Sequence, residues 1–220
     1  MSPLAERVRR LQARIRKACE ACGRDPGGVE LLPVSKRQDP ALLREAAALG
    51  FPRFGENYVQ EALLKMREVP ECGFVLIGPL QRNKAKAALQ NFRQIMTVDR
   101  PDLALRLRHL AAELDLVREI WIQADLWDEA TKVGGAAASD LEAVFGALEE
   151  DPRLPVEGFM AIPPPEDAGA FREVALLRDR WEQRLGRRLR LSMGMSGDLE
   201  EAVRAGSDQV RIGTAFFGGR

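Results

Sequence analysis

The chain has 220 residues, enough for one large domain or two small ones, and its 45% apolar and 30% charged residues are the balance of a globular protein. Its 33 basic and 33 acidic residues cancel, and no like-charge block stands out, which argues against nucleic-acid or anionic-membrane binding. No stretch approaches the length of a membrane span, and Met1-Ser2-Pro3-Leu4-Ala5-Glu6-Arg7 lacks the apolar core of a signal peptide, so a cytoplasmic protein is expected.

Residues 3–21 place Leu4, Val8, Leu11 and Ile15 at helical spacing, and Gly23 and Pro26-Gly27-Gly28 end that helix. A rhythm then begins. Short apolar runs fall near 30–35, 53–55, 74–77, 94–98, 118–124, 156–162, 189–193 and 209–212. Amphipathic stretches lie between them at 40–49, 57–67, 82–90, 101–115, 139–149, 167–185 and 198–205. Most strand-to-strand steps have the length of a βα unit, and strand alternating with helix argues a parallel sheet. Eight strands are enough to close a barrel, and the N-terminal helix can fill the place of a final one. The reading is therefore α/β: a single (β/α)8 TIM barrel over residues 1–220 with an extra N-terminal helix. An open doubly wound sheet is the alternative. Pro163-Pro164-Pro165 reads as a stiff turn, too short for an interdomain linker.

The three cysteines are an odd count, which argues against a disulfide framework. Cys19-Glu20-Ala21-Cys22 has a C-x-x-C spacing but lies near a helix end with no accompanying histidine, so a metal or redox role is disfavoured and no metal is expected. His109, the only histidine, falls on a helical pattern and reads as a surface residue.

Three stretches carry chemistry. Leu31-Leu32-Pro33-Val34-Ser35-Lys36 is an apolar run ending on one of only six lysines. A desolvated lysine at a strand end can attack a carbonyl and form a Schiff base, which arginine cannot. On position alone a surface lysine is the better reading. Leu191-Ser192-Met193-Gly194-Met195-Ser196-Gly197-Asp198 runs from a strand through small residues to a helix with Ser196 as its expected N-cap, a place that suits a phosphate. Val210-Arg211-Ile212-Gly213-Thr214 is another strand entering a glycine and a threonine. In the eight-strand count these two loops follow strands 7 and 8, where barrels often hold phosphate, and strand 1 adjoins strand 8. Lysine, phosphate cradle and arginine on one rim suggest pyridoxal 5′-phosphate. Whether Arg211 faces the barrel or a helix carboxylate is left open by the alternation of Val210 and Ile212.

Val34-Ser35-Lys36, Phe54-Gly55-Glu56-Asn57-Tyr58-Val59-Gln60-Glu61, Ile77-Gly78-Pro79-Leu80-Gln81-Arg82-Asn83-Lys84, Leu191 to Ser196 and Val210 to Thr214 resemble the pyridoxal-phosphate homeostasis proteins (YggS/PROSC type) over almost the whole chain. The resemblance implies the barrel of the alanine racemase N-terminal domain and a role in carrying pyridoxal phosphate and balancing vitamin B6 and amino-acid pools. It implies Lys36 as the Schiff-base lysine and Ser196, Gly213 and Thr214 around the phosphate. Arg211 would face the pyridine nitrogen, and Asn57 and Met193 would line the ring. The implied partners are the cofactor and amino acids, with no nucleic acid or membrane, and the chain is expected to be a monomer.

The sequence departs from that family at Phe74-Val75-Leu76, at Gln123-Ala124-Asp125-Leu126-Trp127, at Pro33 and at Met96-Thr97, several of them on strands or strand ends. A rebuilt pocket is the alternative these suggest. Val75, Leu126 and Trp127 would form an apolar lining that depresses the pKa of Lys36, with Asp125 as base or counter-ion. The chain would then act as a cofactor-independent, aldolase-like amine catalyst on a carbonyl substrate.

Overall fold

The computed structural model describes residues 2–127, 134–149, 151–164, 167 and 169–219. Among them are eight strands: β1 (Glu30–Pro33), β2 (Arg53–Glu56), β3 (Gly73–Leu76), β4 (Gln94–Val98), β5 (Glu119–Ala124), β6 (Val156–Ala161), β7 (Arg190–Ser192) and β8 (Gln209–Ile212). The α-helices are α1 (Pro3–Ala21), α2 (Pro40–Ala48), α3 (Val59–Glu68), α4 (Ala85–Asn91), α5 (Pro101–Leu114), α6 (Leu141–Glu149), α7 (Ala170–Leu185), α8 (Leu199–Arg204) and α9 (Thr214–Phe217). Each expected strand and helix is found, with ends displaced by a few residues. The short α9 was not anticipated. Of the triple-proline turn, Pro165 lies outside the described residues.

All strand pairs are parallel, and the order β1-β8-β7-β6-β5-β4-β3-β2 leaves only β1 and β2 to meet. They meet at a bridge between Val34 and Gly55, where the Ser35 N–H donates to the Gly55 carbonyl at 2.9 Å. This is the barrel, and it excludes the doubly wound alternative, whose strand order reverses midway. The β1–β2 ladder stops at that bridge for a local reason. Glu30 and Val34 donate their N–H groups to the carbonyls of Asp208, just before β8, and of Ile212 at its end, so the alternate residues of β1 point theirs toward β2. One of those is Pro33, which has no N–H to give.

The apolar residues divide between two layers. Leu32, Val75, Met96, Trp121 and Met160 fill the lumen, while a much larger cluster joins the outer strand faces to the helices. α1 is capped by the Ser2 hydroxyl, which accepts from the Ala5 N–H at 3.2 Å. It packs on α8 and α9 and so occupies the place of a last helix. Arg7 ties it to the Phe216 and Phe217 carbonyls, and Arg14 pairs with Glu200 at 2.7 Å. His109 is exposed on α5. No helix among the described residues is long and apolar enough to cross a membrane.

Candidate functional site

The carboxyl ends of β8, β1 and β2 form one side of the barrel mouth. Lys36 follows β1 in a turn closed by the Gln38 N–H donating to the Ser35 carbonyl at 3.0 Å. Ser35 is fully buried, and Lys36 is exposed. Among the described residues the Lys36 ammonium has no hydrogen-bond or ion-pair partner, so its amine is available. It lines a cleft of about 350 Å³ together with Val34, Gln38, Gly213, Thr214, Gly218 and Gly219. The expected meeting of Lys36 with the loop after β8 is therefore present. A Cβ on Gly213 would come no nearer than 3.6 Å to the chain. The packing thus leaves room beside this glycine instead of demanding it.

Arg211 faces inward, which resolves the question its neighbours left open. It stands in register with the lumen residue Leu32 and is only 5% exposed. Its Nη1 donates to the Ser192 carbonyl at 2.6 Å and to the Ser192 hydroxyl at 2.8 Å, and its Nη2 to the Ala161 carbonyl at 2.9 Å. Among the described residues it forms no ion pair, and Nε has no hydrogen-bond partner. Burial pushes its pKa down to about 10, against the opposing pull of Asp198, so it stays cationic at neutral pH. A buried guanidinium without a carboxylate costs several kcal/mol, a cost that an electron-rich ligand would offset. Asn57, just past β2, is half-buried, and its Oδ1 is buried with no partner. The close passage of Gly78 fixes it, since a Cβ there would fall 2.1 Å from the Asn57 carbonyl oxygen. The Thr97 hydroxyl in turn holds the Gly78 carbonyl at 2.8 Å.

Three expectations need correction. Ser196 is not the N-cap: Asp198 precedes α8, and its carboxylate accepts the Met195 N–H. An aspartate two positions later holds the N-cap position, with its side chain turned back to the loop and making no capping bond to α8. Ser196 is half-buried on this loop and does not line the Lys36 cleft. Met193 packs in the outer layer, because alternation along β7 sends Ser192 inward and Met193 outward. The apolar lining proposed for a rebuilt pocket does not form around Lys36. Val75 is in the lumen, but Leu126 and Trp127 pack into the outer cluster, and the Trp127 indole N–H donates to Glu173 on α7 at 2.9 Å. Asp125 bonds its own loop, accepting the Trp127 N–H at 3.2 Å. The aldolase-like alternative thereby loses its physical basis.

Lys65 on α3 was missed. It is 6% exposed and lies between α3 and the β1–β2 seam. It donates to the Ser35 carbonyl, to Glu56 Oε1 at 2.6 Å and to Glu61 Oε1 at 2.8 Å. Glu56 also accepts from the Ser35 hydroxyl at 2.7 Å, and Glu61 accepts the Arg37 N–H. Burial raises the Glu56 pKa despite the opposing bonds from Lys65 and Ser35. At Glu61, burial is outweighed by Lys65 and Arg37, and the pKa is lowered. Arg37 holds φ of 59°, a left-handed conformation that costs a non-glycine residue about 1–2 kcal/mol. The signal was in the sequence: Val59, Ala62 and Lys65 share the buried face of α3, so a lysine stood where an apolar residue was due.

Residues 7–220 match the family described as alanine racemase, N-terminal domain. The pyridoxal phosphate homeostasis protein of Pseudomonas aeruginosa is 42% identical over 225 residues, covering 100% of this chain and 97% of its own. That of Aquifex aeolicus is 38% identical over 98% of this chain and 97% of its own. PipY of Synechococcus elongatus, solved with pyridoxal phosphate bound, superposes with a TM-score of 0.85 at 34% identity, covering 98% of this chain and 100% of that one. Alanine racemase from Bacillus anthracis shares the fold, with a TM-score of 0.69 at 18% identity over 95% of this chain and 55% of its own. A barrel whose Lys36, Gly213 and Thr214 meet in one cleft near a buried Arg211, with full-length likeness to these relatives, places the chain in the pyridoxal phosphate homeostasis protein family.

Proposed function

We propose that the chain binds pyridoxal 5′-phosphate, holds it as a Schiff base on Lys36, and serves vitamin B6 and amino-acid homeostasis in the cytoplasm as a monomer. The observation that carries this is the shared cleft: a primary amine with no partner among the described residues, beside the loop that begins Gly213-Thr214. The donor set fits the cofactor. It has a primary amine for the aldehyde, small residues with a hydroxyl for the phosphate, and a cationic donor for the ring nitrogen. The cofactor supplies an electrophilic aldehyde and a ring that delocalises charge. Lys36 would hold the cofactor through Nζ, which as the neutral amine would condense with the aldehyde, its two N–H protons leaving with the carbonyl oxygen as water. Gly213 and Thr214, with Ser196 on the neighbouring loop, hold the phosphate. Arg211 keeps the pyridine nitrogen unprotonated, because a fixed cation there disfavours a second positive charge. Asn57 offers its unpartnered Oδ1 to the ring substituents, a role in which Met193 does not share.

The test is the visible spectrum of the full chain after incubation with pyridoxal phosphate. The Schiff-base band is expected in the native chain and absent in Lys36→Ala, and borohydride reduction is expected to leave the added mass on Lys36. No band in the native chain, or a band that persists in Lys36→Ala, refutes the proposal.

A further inference from the structure

We infer that Lys65 and Glu61 clamp the Ser35–Lys36–Arg37 turn and are positioning residues for the Lys36 amine, an inference that rests on Lys36 being the amine that captures the cofactor. The residues on either side of Lys36 are held, while the Lys36 ammonium has no bonding partner among the described residues. On the near side the Ser35 carbonyl accepts from Lys65, its hydroxyl is bound by Glu56, and its N–H is used by Gly55. On the far side the Arg37 N–H, in its left-handed conformation, ends on Glu61 Oε1. That same oxygen accepts from Lys65. One ammonium thus links both sides of the turn, and its three donors are all engaged.

Such a cluster is a poor device for stability, because apolar side chains of similar volume often do as well. What it supplies is geometry. A buried charge network has few arrangements that keep its members bonded, and the one found here, in which Glu56 Oε1 is bonded and Oε2 has no partner among the described residues, dictates where the Lys36 Cα sits and which way its side chain leaves the turn. Misplacing a reacting group by about 1 Å can cost about 100-fold in rate.

Glu61 is the residue to alter, since it is partly exposed and its replacement leaves the buried Lys65–Glu56 pair in place. In the full-length Glu61→Gln chain, the Arg37 amide is expected to exchange with solvent about tenfold faster or more. The rate of Schiff-base formation with added pyridoxal phosphate is expected to fall about 10- to 100-fold, with a melting temperature within about 4 °C of the native chain. Glu113→Gln, which removes a surface pair with Lys86, is expected to change neither rate. Unaltered capture in Glu61→Gln, or slowed capture without faster Arg37 exchange, overturns the inference. If the native chain forms no Schiff base, it is the proposal for Lys36 that has failed. Arg37 exchange in the unliganded chains then still decides the clamp: faster in Glu61→Gln upholds it, and unchanged overturns it.

Discussion

The β5–β6 and β1–β2 seams close the same barrel by different means. β5 and β6 run in register from Ile120 with Val156 to Ala124 with Ala161, interrupted by one irregularity. Their backbones do the joining. β1 and β2 share a single bridge, and side chains do the rest. Below it Glu30 pairs with Arg53; above it stand Ser35, Glu56 and Lys65. A backbone ladder satisfies its own polar groups along its length, and what this one leaves at the rim is a main-chain acceptor, the Ala161 carbonyl, which is taken by Arg211. A side-chain seam has to bring buried polar groups to the strand ends, and Lys36 sits at the top of that seam. The contrast teaches that Lys36, the amine proposed to capture the cofactor, is placed where the main-chain scaffold is weakest and side chains have most control over local geometry.

The most damaging way to break the contrast is to remove the ammonium at the top of the side-chain seam. Lys65→Met leaves Glu56 buried with only Ser35 as a partner, and loss of one member of a buried pair costs about 3–5 kcal/mol. Urea denaturation is the measurement. A cost below about 1 kcal/mol for Lys65→Met would mean that the seam is closed by apolar packing and that the contrast is empty.

Much of this was legible in the sequence. The strands were readable because continuous apolar runs mark strands buried on both faces, and helical periods mark what lies between them. The meeting of Lys36 with Gly213 and Thr214 followed from counting, since strand 8 adjoins strand 1 in any closed barrel of this type. What failed to show was which way side chains face. Both faces of β8 are apolar or buried, so Val210 and Ile212 say nothing of where Arg211 points. The same blindness put Met193 against the ring and Trp127 in the pocket. Ser196 and Asp198 are equally good caps by type, and only the backbone chose between them. Lys65 was readable but hidden by habit: Glu61 and Lys65 at i, i+4 pass for a surface pair, although Lys65 shares its face with Val59 and Ala62. Pro33 was also readable, since a proline inside a strand run announces a missing ladder bond.

A smaller effect is expected at the foot of the same seam. Burial alone would raise the pKa of Glu30, but the hydrogen bond and charge of Arg53, the hydrogen bond from Gln209 and the charge of Arg190 outweigh it, and the pKa is lowered from its ordinary value of 4.5. The folded chain therefore holds this carboxylate ionised where the unfolded chain has begun to protonate it. Its contribution to stability is fully present above pH 4.5 and is lost as pH falls through the folded value. In Glu30→Gln the dependence of stability on pH below that point is expected to flatten, by at most about 1.4 kcal/mol per pH unit, the limit for one proton. Chemical denaturation of both chains across the acid range measures it, and parallel curves would remove Glu30 from the seam.

The subtlest test converts the side-chain seam toward a ladder. Pro33→Ala restores an N–H that points at β2. The Ser35 N–H already reaches the Gly55 carbonyl, so two residues earlier the matching acceptor is the carbonyl of Arg53. The new bond is worth about 0.5–1.5 kcal/mol. Against it, the unfolded chain regains the freedom that proline denied it, worth about 0.4–1 kcal/mol. The two nearly cancel, and net stability is expected to move by less than about 1 kcal/mol. Exchange is the sharper readout. The new amide at position 33 is expected to be protected like its neighbours in β1, because a bond to Arg53 extends the bridge at Val34 by one rung. A rapidly exchanging amide there would mean that β1 and β2 stand too far apart for a second rung, and that Pro33 fills a gap which the strands themselves leave open.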